Sequence, residues 1–382
     1  MEPNTTYIDR IINDSYVLVP YKLISSAKAF LGMEIRTKEL LAIKFEPNDF
    51  NNLEKENEIY KELKDLERIP KVFWYGDQNK KTFLIVQLLG PSLRKLFKDF
   101  CHSKFSLGTI LNISLQMISI LEQIHHKGVI LRYIKPGNMV IGLKENKRKI
   151  YFIDFEYAKK YIKNGKHLDN VKARAIRGNR VYISANAHKG NKTSRRDDIE
   201  SLGYNIIFYM KGGNLPWYYE EDMNKLESIK MNITLDELCE GLPEEIKLFI
   251  KYAKEMEFYQ EPDYEYLKSL LLKIAEKNNI DVNKVEFDWE KNIYYNAYIN
   301  ALFGEENKKE KEKTIEKNKD WNREKNVESI IVKLDKNISE NNINSNNHKK
   351  ELRFLKFLFF IYLSIEFHWL FTILLFFITF DN

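Results

Sequence analysis

Leu131-Arg132-Tyr133-Ile134-Lys135-Pro136-Gly137-Asn138, followed sixteen residues later by Asp154-Phe155-Glu156, is the stretch whose reading decides the fold. Immediately upstream of Asp154, Ile150 to Ile153 reads as a short strand that delivers the aspartate. Before the quoted stretch, residues 107–127 form a long helix with Leu111, Leu115, Ile118, Leu121 and Ile124 along one face. Further back, Thr82 to Leu89 is an apolar run closed by Gly90-Pro91, a buried strand and its turn. Residues 53–66 space Leu53, Ile59, Tyr60 and Leu63 among Glu and Lys, an amphipathic helix, and residues 16–46 alternate as strands do. After Asp197 the pattern is mainly helical to about residue 279. A small sheet-rich part followed by a larger helical part is a two-lobed α+β arrangement, with the ligand cleft expected between the lobes.

The quoted stretch resembles the catalytic loop and metal-binding segment of a protein kinase, H-R-D-x-x-x-x-N followed by D-F-G. There the first Asp accepts the substrate hydroxyl proton, while the Asn and the second Asp hold magnesium. Arg132, Lys135, Asn138 and Asp154 match that pattern. Leu131 stands for the His, Tyr133 for the base and Glu156 for the Gly. A phenol with an ordinary pKa near 10 is not the usual base, and its ring occupies the space of the substrate hydroxyl. Lys135 is left to stabilise the transferring phosphoryl group. Glu156 is read two ways, as a third anionic metal ligand or as a repulsive charge against the phosphates.

Ala42-Ile43-Lys44 lies in a strand where the kinase lysine pairs with nucleotide phosphates. Glu56 on the following helix is its expected partner, with Glu58 as the fallback. The phosphate-cradling loop departs from the pattern. Such a loop needs residues without a Cβ so that backbone N–H groups approach the phosphates, yet no glycine occurs between Tyr16 and Leu31. Ser25, Ser26 and Lys28 are candidates to contact a phosphate, but close backbone approach is disfavoured, so weak ATP and Mg2+ binding is expected.

Several segments resemble the casein kinase I family of Ser/Thr kinases. Leu88-Leu89-Gly90-Pro91-Ser92-Leu93 with Leu96-Phe97 looks like its hinge and following helix. Asp154 to Tyr161 resembles D-F-G-L-A-K-K-Y, and Ser184-Ala185-Asn186 its S-I-N. Ser194 to Tyr204 reads SRRDDIESLGY against S-R-R-D-D-L-E-S-L-G-Y, and Leu215-Pro216-Trp217 and Pro262 to Leu267 match further signatures. The similarity runs from about Tyr16 to Trp289. It implies a bilobal kinase fold over 16–300, with an N-lobe to about residue 89 and a C-lobe from about residue 90. It also implies a Lys44–Glu56 ion pair, Val86 as gatekeeper, Gln87 to Leu89 as the hinge under the adenine, and Asn138 and Asp154 as metal ligands. Asp197 is implied as the support of the catalytic-loop backbone, a role compatible with an N-cap. Family members hold anionic substrates through basic residues before S-I-N. Arg174 matches one such position and Val181 replaces another, with Lys172, Arg177 and Arg180 nearby.

A length of 382 residues admits two average domains, or one large bilobal domain plus extensions. A net charge of +6 is too small for this length to announce nucleic-acid binding, and none is expected. Cys101 and Cys239 form neither a disulfide framework nor a zinc site, which suits a reducing compartment. Met1 to Pro20 lacks the basic start and apolar run of a secretory signal. Residues 301–353 mix Lys and Glu densely with an Asn-rich run, the composition of a linker. Phe357 to Phe380 is different: 17 of its 24 residues are Leu, Ile or Phe. Those side chains favour insertion by about 5–10 kcal/mol, against about 3 kcal/mol for Glu366. Residues 354–380 are therefore a candidate transmembrane tail helix, long enough to span with tilt, with Lys349, Lys350, Arg353 and Lys356 ahead of it. A helix docked on the protein itself and a translated intron are the competing readings. A real anchor places the kinase-like part on the cytoplasmic side of a membrane; otherwise it is cytoplasmic or nuclear. The expected function is a casein kinase I-like pseudokinase that binds proteins, such as an active kinase or its substrates. The alternatives are a Ser/Thr kinase of low activity and a nucleotide-gated switch.

Overall fold

The computed structural model describes residues 11–23, 29–173 and 177–303. Ser25, Ser26, Lys28, Arg174, the linker beyond residue 303 and the tail helix 354–380 lie outside the described residues. The N-terminal lobe is built on strands β1 (Ile11–Ile12), β2 (Tyr16–Leu23), β3 (Phe30–Glu34) and β4 (Leu40–Pro47), helix α1 (Asn52–Leu63), and strands β5 (Val72–Gln78) and β6 (Lys81–Gln87). The sheet order is β1-β2-β3-β4-β6-β5, antiparallel throughout. Its two edges nearly meet. The Gln78 side chain on β5 donates to the Ile11 carbonyl (2.7 Å) and accepts from Asn13 N–H (2.8 Å), which satisfies edge groups that would otherwise face solvent.

Strand alternation decides what this sheet encloses and what it presents. Leu41, Ile43, Phe83 and Ile85 point inward with Ile12 and Leu18, and Trp74 and Phe45 pack against them. The opposite face of β4 and β6 therefore carries Ala42, Lys44, Leu84 and Val86, and α1 packs there. Leu53, Glu56, Tyr60 and Leu63 recur every three or four residues on the buried side of α1. The Glu46 carboxylate on β4 accepts Leu53 N–H (2.7 Å), an acceptor that suits the positive end of the helix.

The C-terminal lobe follows with α2 (Leu93–Lys95), which continues as a π-turn over Leu96–Phe100, then α3 (Leu107–His126) and the short strands β7 (Val129–Ile130), β8 (Met139–Ile141), β9 (Ile150–Phe152), β10 (Lys159–Lys160), β11 (Ile162–Lys163) and β12 (Lys166–His167). Helices α4 (Ala185–His188), α5 (Arg195–Met210), α6 (Met223–Asn232), α7 (Leu235–Leu238), α8 (Glu244–Glu255) and α9 (Tyr264–Lys277) complete it. A first compact unit ends at Asn292, and α10 (Ile293–Phe303) opens a second one.

Helix α3 is the one described helix long and apolar enough to cross a membrane. It is a core helix: Ile110, Ile113, Met117 and Ile120 are buried as well as Leu111, Ile118, Leu121 and Ile124 of the face read from the sequence, with Leu115 half-buried, because α5 and α9 cover different sides of it. Helix α5 is buried from Asp197 to Tyr209. Gly203 lets α8 approach, since a Cβ there would lie 2.7 Å from Ile250 Cδ1. The sheet-rich lobe over a helical lobe is the bilobal arrangement expected from the sequence.

Candidate active site

Three elements converge on one ammonium. Lys44 Nζ on β4 donates to both oxygens of Glu56 on α1 (2.8 and 2.7 Å) and to Asp154 Oδ1 (3.1 Å). Glu56 is 1% exposed, a position an unpaired carboxylate would not hold. Burial alone would lower the Lys44 pKa, but the carboxylates of Glu56 and Asp154 outweigh it and hold the group protonated. Phe155 N–H donates to Glu56 Oε1 (3.3 Å), and the Phe155 ring meets Tyr60 edge-on at 4.9 Å. Tyr60 sits one helical turn after Glu56, so one face of α1 grips both Lys44 and the Asp-Phe segment. Glu58, the fallback partner, is exposed and takes no part.

Asn138 reaches Asp154 through the β8–β9 pair. Met139 pairs with Phe152, and the Asn138 carbonyl accepts Ile153 N–H (3.0 Å), so the residues just outside each strand end lie together. The Asn138 amide N–H donates to the Tyr133 carbonyl (3.2 Å), which leaves Oδ1 for a cation. One amide oxygen and one carboxylate fit a magnesium ion that keeps waters and phosphate oxygens as its other ligands. Among the described residues no cluster of three or more His, Cys, Asp or Glu could hold a metal ion.

The backbone support of this loop is shifted by one residue from the expectation. Asp198, not Asp197, accepts Leu131 N–H (2.6 Å) and Arg132 N–H (2.8 Å). His125 Nε2 lies 3.0 Å from the same carboxylate, and its Nδ1 is 2.7 Å from Tyr264 OH. Asp197 instead closes a capping box at the start of α5, accepting Ser194 N–H (2.7 Å) and the Ser184 hydroxyl. Asn205, seven residues beyond Asp198 and on the same face, donates to Ile134 O (3.4 Å). Arg132 and Asp154 both have left-handed backbones, with φ 61° and 67°, a conformation that costs about 1–3 kcal/mol for non-glycine residues and persists only where surroundings over-determine it.

At the expected base position the Tyr133 ring meets Tyr157 edge-on at 4.7 Å, and Lys135 Nζ lies over it, 4.0 Å from its centroid. Such a cation–π contact contributes about 0.5–2 kcal/mol. Arg132 Nε donates to the Tyr157 carbonyl (2.6 Å), which holds the partner ring in place.

On the N-lobe side, Val86 pairs with Ala42 and faces the cleft. The Gln87 side chain turns to Lys71 N–H (3.4 Å), and Leu88 and Leu89 run half-buried into Gly90. Gly90 N–H donates to Ile141 O (2.9 Å), and a Cβ at Gly90 would come within 2.8 Å of the Ile141 side chain, so only glycine brings the two segments this close.

The described basic residues expected to hold anions, Lys172, Arg177 and Arg180, turn to separate surroundings. Lys172 Nζ donates to the Lys189 carbonyl (3.0 Å) and Asn191 Oδ1 (2.9 Å), and Arg180 donates to the Glu220 carbonyl. Carbonyls left by the irregular backbone take up these donors. Arg177 is exposed and faces Arg132, and its charge adds to burial in lowering the Arg132 pKa. Lys159 is lowered by burial and then by Arg132 and Lys192. That clustering of Arg132, Lys159, Lys192 and Arg177 was invisible in the sequence because the residues come from four separate segments. Asp198 and His125 were missed for a different reason: the two adjacent aspartates are alike until the rotation of α5 is known.

Residues 25–280 match the protein kinase domain model. The chain is 35% identical over 272 residues to casein kinase I homolog 2 of Schizosaccharomyces pombe (strain 972 / ATCC 24843), a stretch that covers 68% of this chain and 62% of that protein. The chain thus spans less than two thirds of that relative's length. With more than half of its residues under one family description, and with the ion-paired lysine, the asparagine and the aspartate meeting at one cleft, the chain belongs to the protein kinase domain family.

Proposed function

We propose that this chain is a casein kinase I-like pseudokinase, a protein-binding or regulatory module whose phosphotransfer site is filled by its own side chains. The observation that carries the reading is the Tyr133 ring wedged against Tyr157 with the Lys135 ammonium on its face. In an active kinase the corresponding positions supply a carboxylate that accepts the hydroxyl proton and a lysine that stabilises the moving phosphoryl group. Here the carboxylate is absent and the lysine is drawn to an aromatic ring. Lys44, Glu56, Asn138 and Asp154 fit a nucleotide with magnesium, which would supply the phosphoryl group. Without a glycine-rich cradle the affinity is expected to be low.

A second reading, a Ser/Thr kinase of low activity, has one observation in its favour. Lys44 is paired with Glu56 at 2.7 Å and Asp154 lies beside it, both features that phosphoryl transfer requires. The name of the fission-yeast relative, casein kinase I homolog 2, points the same way.

The deciding experiment uses the full chain in detergent with γ-labelled ATP and magnesium. The acceptors are the protein itself and an acidic peptide containing serine, with Lys44→Ala and Asp154→Ala as matched controls. Incorporation no greater than in the controls is expected. Incorporation above both would establish an enzyme and end the pseudokinase reading. If magnesium-ATP raises the melting temperature without any transfer, the chain is a nucleotide-gated switch.

A further inference from the structure

Leu115 belongs to the apolar face of α3 read from the sequence, yet it is only half-buried. A groove of ≈ 320 Å³ opens there, bounded by the Glu67–Arg68 segment that follows α1, by α3, and by Val282 and Asn283 after α9. One glutamine ties its walls together. Gln116 Oε1 accepts Arg68 Nη1–H (2.6 Å) and Ile150 N–H (3.0 Å), while its Nε2 donates to Asn112 Oδ1 (2.7 Å) and to the Arg148 carbonyl (3.0 Å). Asn112 Nδ2 in turn donates to the Val282 carbonyl (2.7 Å). The hydrogen-bonding capacity of Gln116 is therefore used up, and the walls are set before anything binds. The rim is the reverse. Gln123 on α3 and Asn283 are exposed, and their side-chain amides have no hydrogen-bond partner among the described residues. Arg68 is half-buried, with Gln116 as its one hydrogen-bond partner and no ion pair among the described residues.

These features select one kind of occupant. Each free amide offers N–H donors and a carbonyl, the same groups that a peptide unit offers, so the two suit an extended main chain. Arg68 lacks a counter-charge, and a planar guanidinium takes a carboxylate through paired N–H bonds. Leu115 and Val282, both half-buried, leave an aliphatic floor that an aliphatic side chain would remove from water. One cation with the exposed Glu67 carboxylate next to it is a poor field for a nucleic-acid backbone or a dianionic phosphate. A wholly apolar ligand would leave Arg68 and the amides without partners. The volume is at the small end of ligand sites, about 300–1,000 Å³, which suits a few residues of chain rather than a folded domain.

We propose that this groove docks an extended segment of a partner protein that carries an aliphatic side chain and, two residues away, a carboxylate. Side chains two residues apart on an extended chain share a face, so both enter the groove together. The aliphatic side chain covers Leu115 and Val282, the carboxylate pairs with Arg68, and the main chain between them bonds Gln123 and Asn283. The groove shares no residue with the nucleotide cleft. It rests on the reading of the chain as a protein-binding module, and supplies the chemistry of the partner.

The test is fluorescence anisotropy of the full-length protein with a fluorescein-labelled peptide of alanines that holds one leucine and, two residues later, one aspartate. It has no hydroxyl side chain, so phosphotransfer cannot contribute to the signal. The comparison peptides replace the leucine by glycine, or the aspartate by asparagine. One comparison protein carries Arg68→Gln, which removes the charge. A second carries Gln123→Ala and Asn283→Ala, two exposed positions where the fold is not at stake, so the test stands even if Arg68→Gln unfolds. Saturable binding is expected, weakened about tenfold or more by the glycine, by the asparagine and by Arg68→Gln, and about fivefold or more by loss of the two amides. No binding up to about 1 mM overturns the proposal. So does equal affinity for either comparison peptide, and so does unchanged affinity of the double variant. Phosphotransfer by the wild type would end the pseudokinase reading and leave this result standing. Loss of peptide selectivity would remove the docking groove and leave that reading standing.

Discussion

Tyr133 and Asp198 show how much of the site depends on where single side chains point. Tyr133 was legible in the sequence as a phenol at the expected base position, but its contacts with Tyr157 and Lys135 were not. Asp198 has a sharper consequence. Its carboxylate accepts the N–H groups of Leu131, buried, and Arg132, part-buried, and faces the buried His125. Asp198→Ala leaves three donors without an acceptor and is expected to cost about 3 kcal/mol or more. Asp197→Ala removes a cap and a hydroxyl partner and should cost about 1–2 kcal/mol. Urea unfolding of the two variants measures the difference, and equal losses would contradict the assignment. The Lys44–Glu56 pair makes a second test. Lys44→Met strands a buried carboxylate and should cost about 3–5 kcal/mol, while Lys44→Met with Glu56→Leu should recover most of the loss. A double variant as unstable as the single one would mean that the pairing geometry itself holds α1.

Between elements, the segment joining α4 to the catalytic loop is pinned by the helices beneath it. Lys230 on α6, fully buried, donates to the carbonyls of Ile183 (2.7 Å) and Arg180 (3.1 Å), and its ammonium lies 5.1 Å from the ring centroids of Tyr204 and Trp217. Glu200 on α5 accepts Ala185 N–H (2.9 Å) and the Tyr204 hydroxyl (2.6 Å). His188, at the end of α4, lies against this network, 3.2 Å from Lys230 Nζ. Burial, and then the Lys230 charge, lower its pKa to about 4. Unfolding releases the imidazole to its ordinary value, so the unfolded chain binds the extra proton between about pH 6.5 and pH 4. This group therefore stabilises the fold above that window, and its contribution is lost as pH falls through it. The stability difference between wild type and His188→Gln should shrink from pH 7 to pH 4.5 in denaturant titrations. A difference independent of pH would mean that His188 titrates normally in the folded chain.

For the whole molecule, the six-stranded sheet, its edges joined by Gln78, and the buried α3–α5 pair are the cores of the two lobes. Among the described residues the one helix long and apolar enough to cross a membrane, α3, is a core helix. The tail 354–380 is the attachment read from the sequence, and it lies outside the described residues. The full chain expressed in cells should sediment with membranes and resist alkaline carbonate extraction, and deletion of 354–380 should move it to the soluble fraction. Full-length protein that is soluble without detergent would support instead a helix docked on protein.

The sequence by itself determined the family, the two-lobe order and the chemical groups available at the cleft. These are carried by short local patterns whose residue types follow from strand and helix periodicity, turn chemistry and the needs of phosphate and metal. Only the tertiary structure decided which of two adjacent aspartates supports the loop, because one residue along a helix turns a side chain by about 100° and the rotation of α5 is set by its packing. The same holds for Lys135 on the Tyr133 ring and for the closure by Gln78. Each joins segments distant in sequence, and their meeting depends on how whole elements pack.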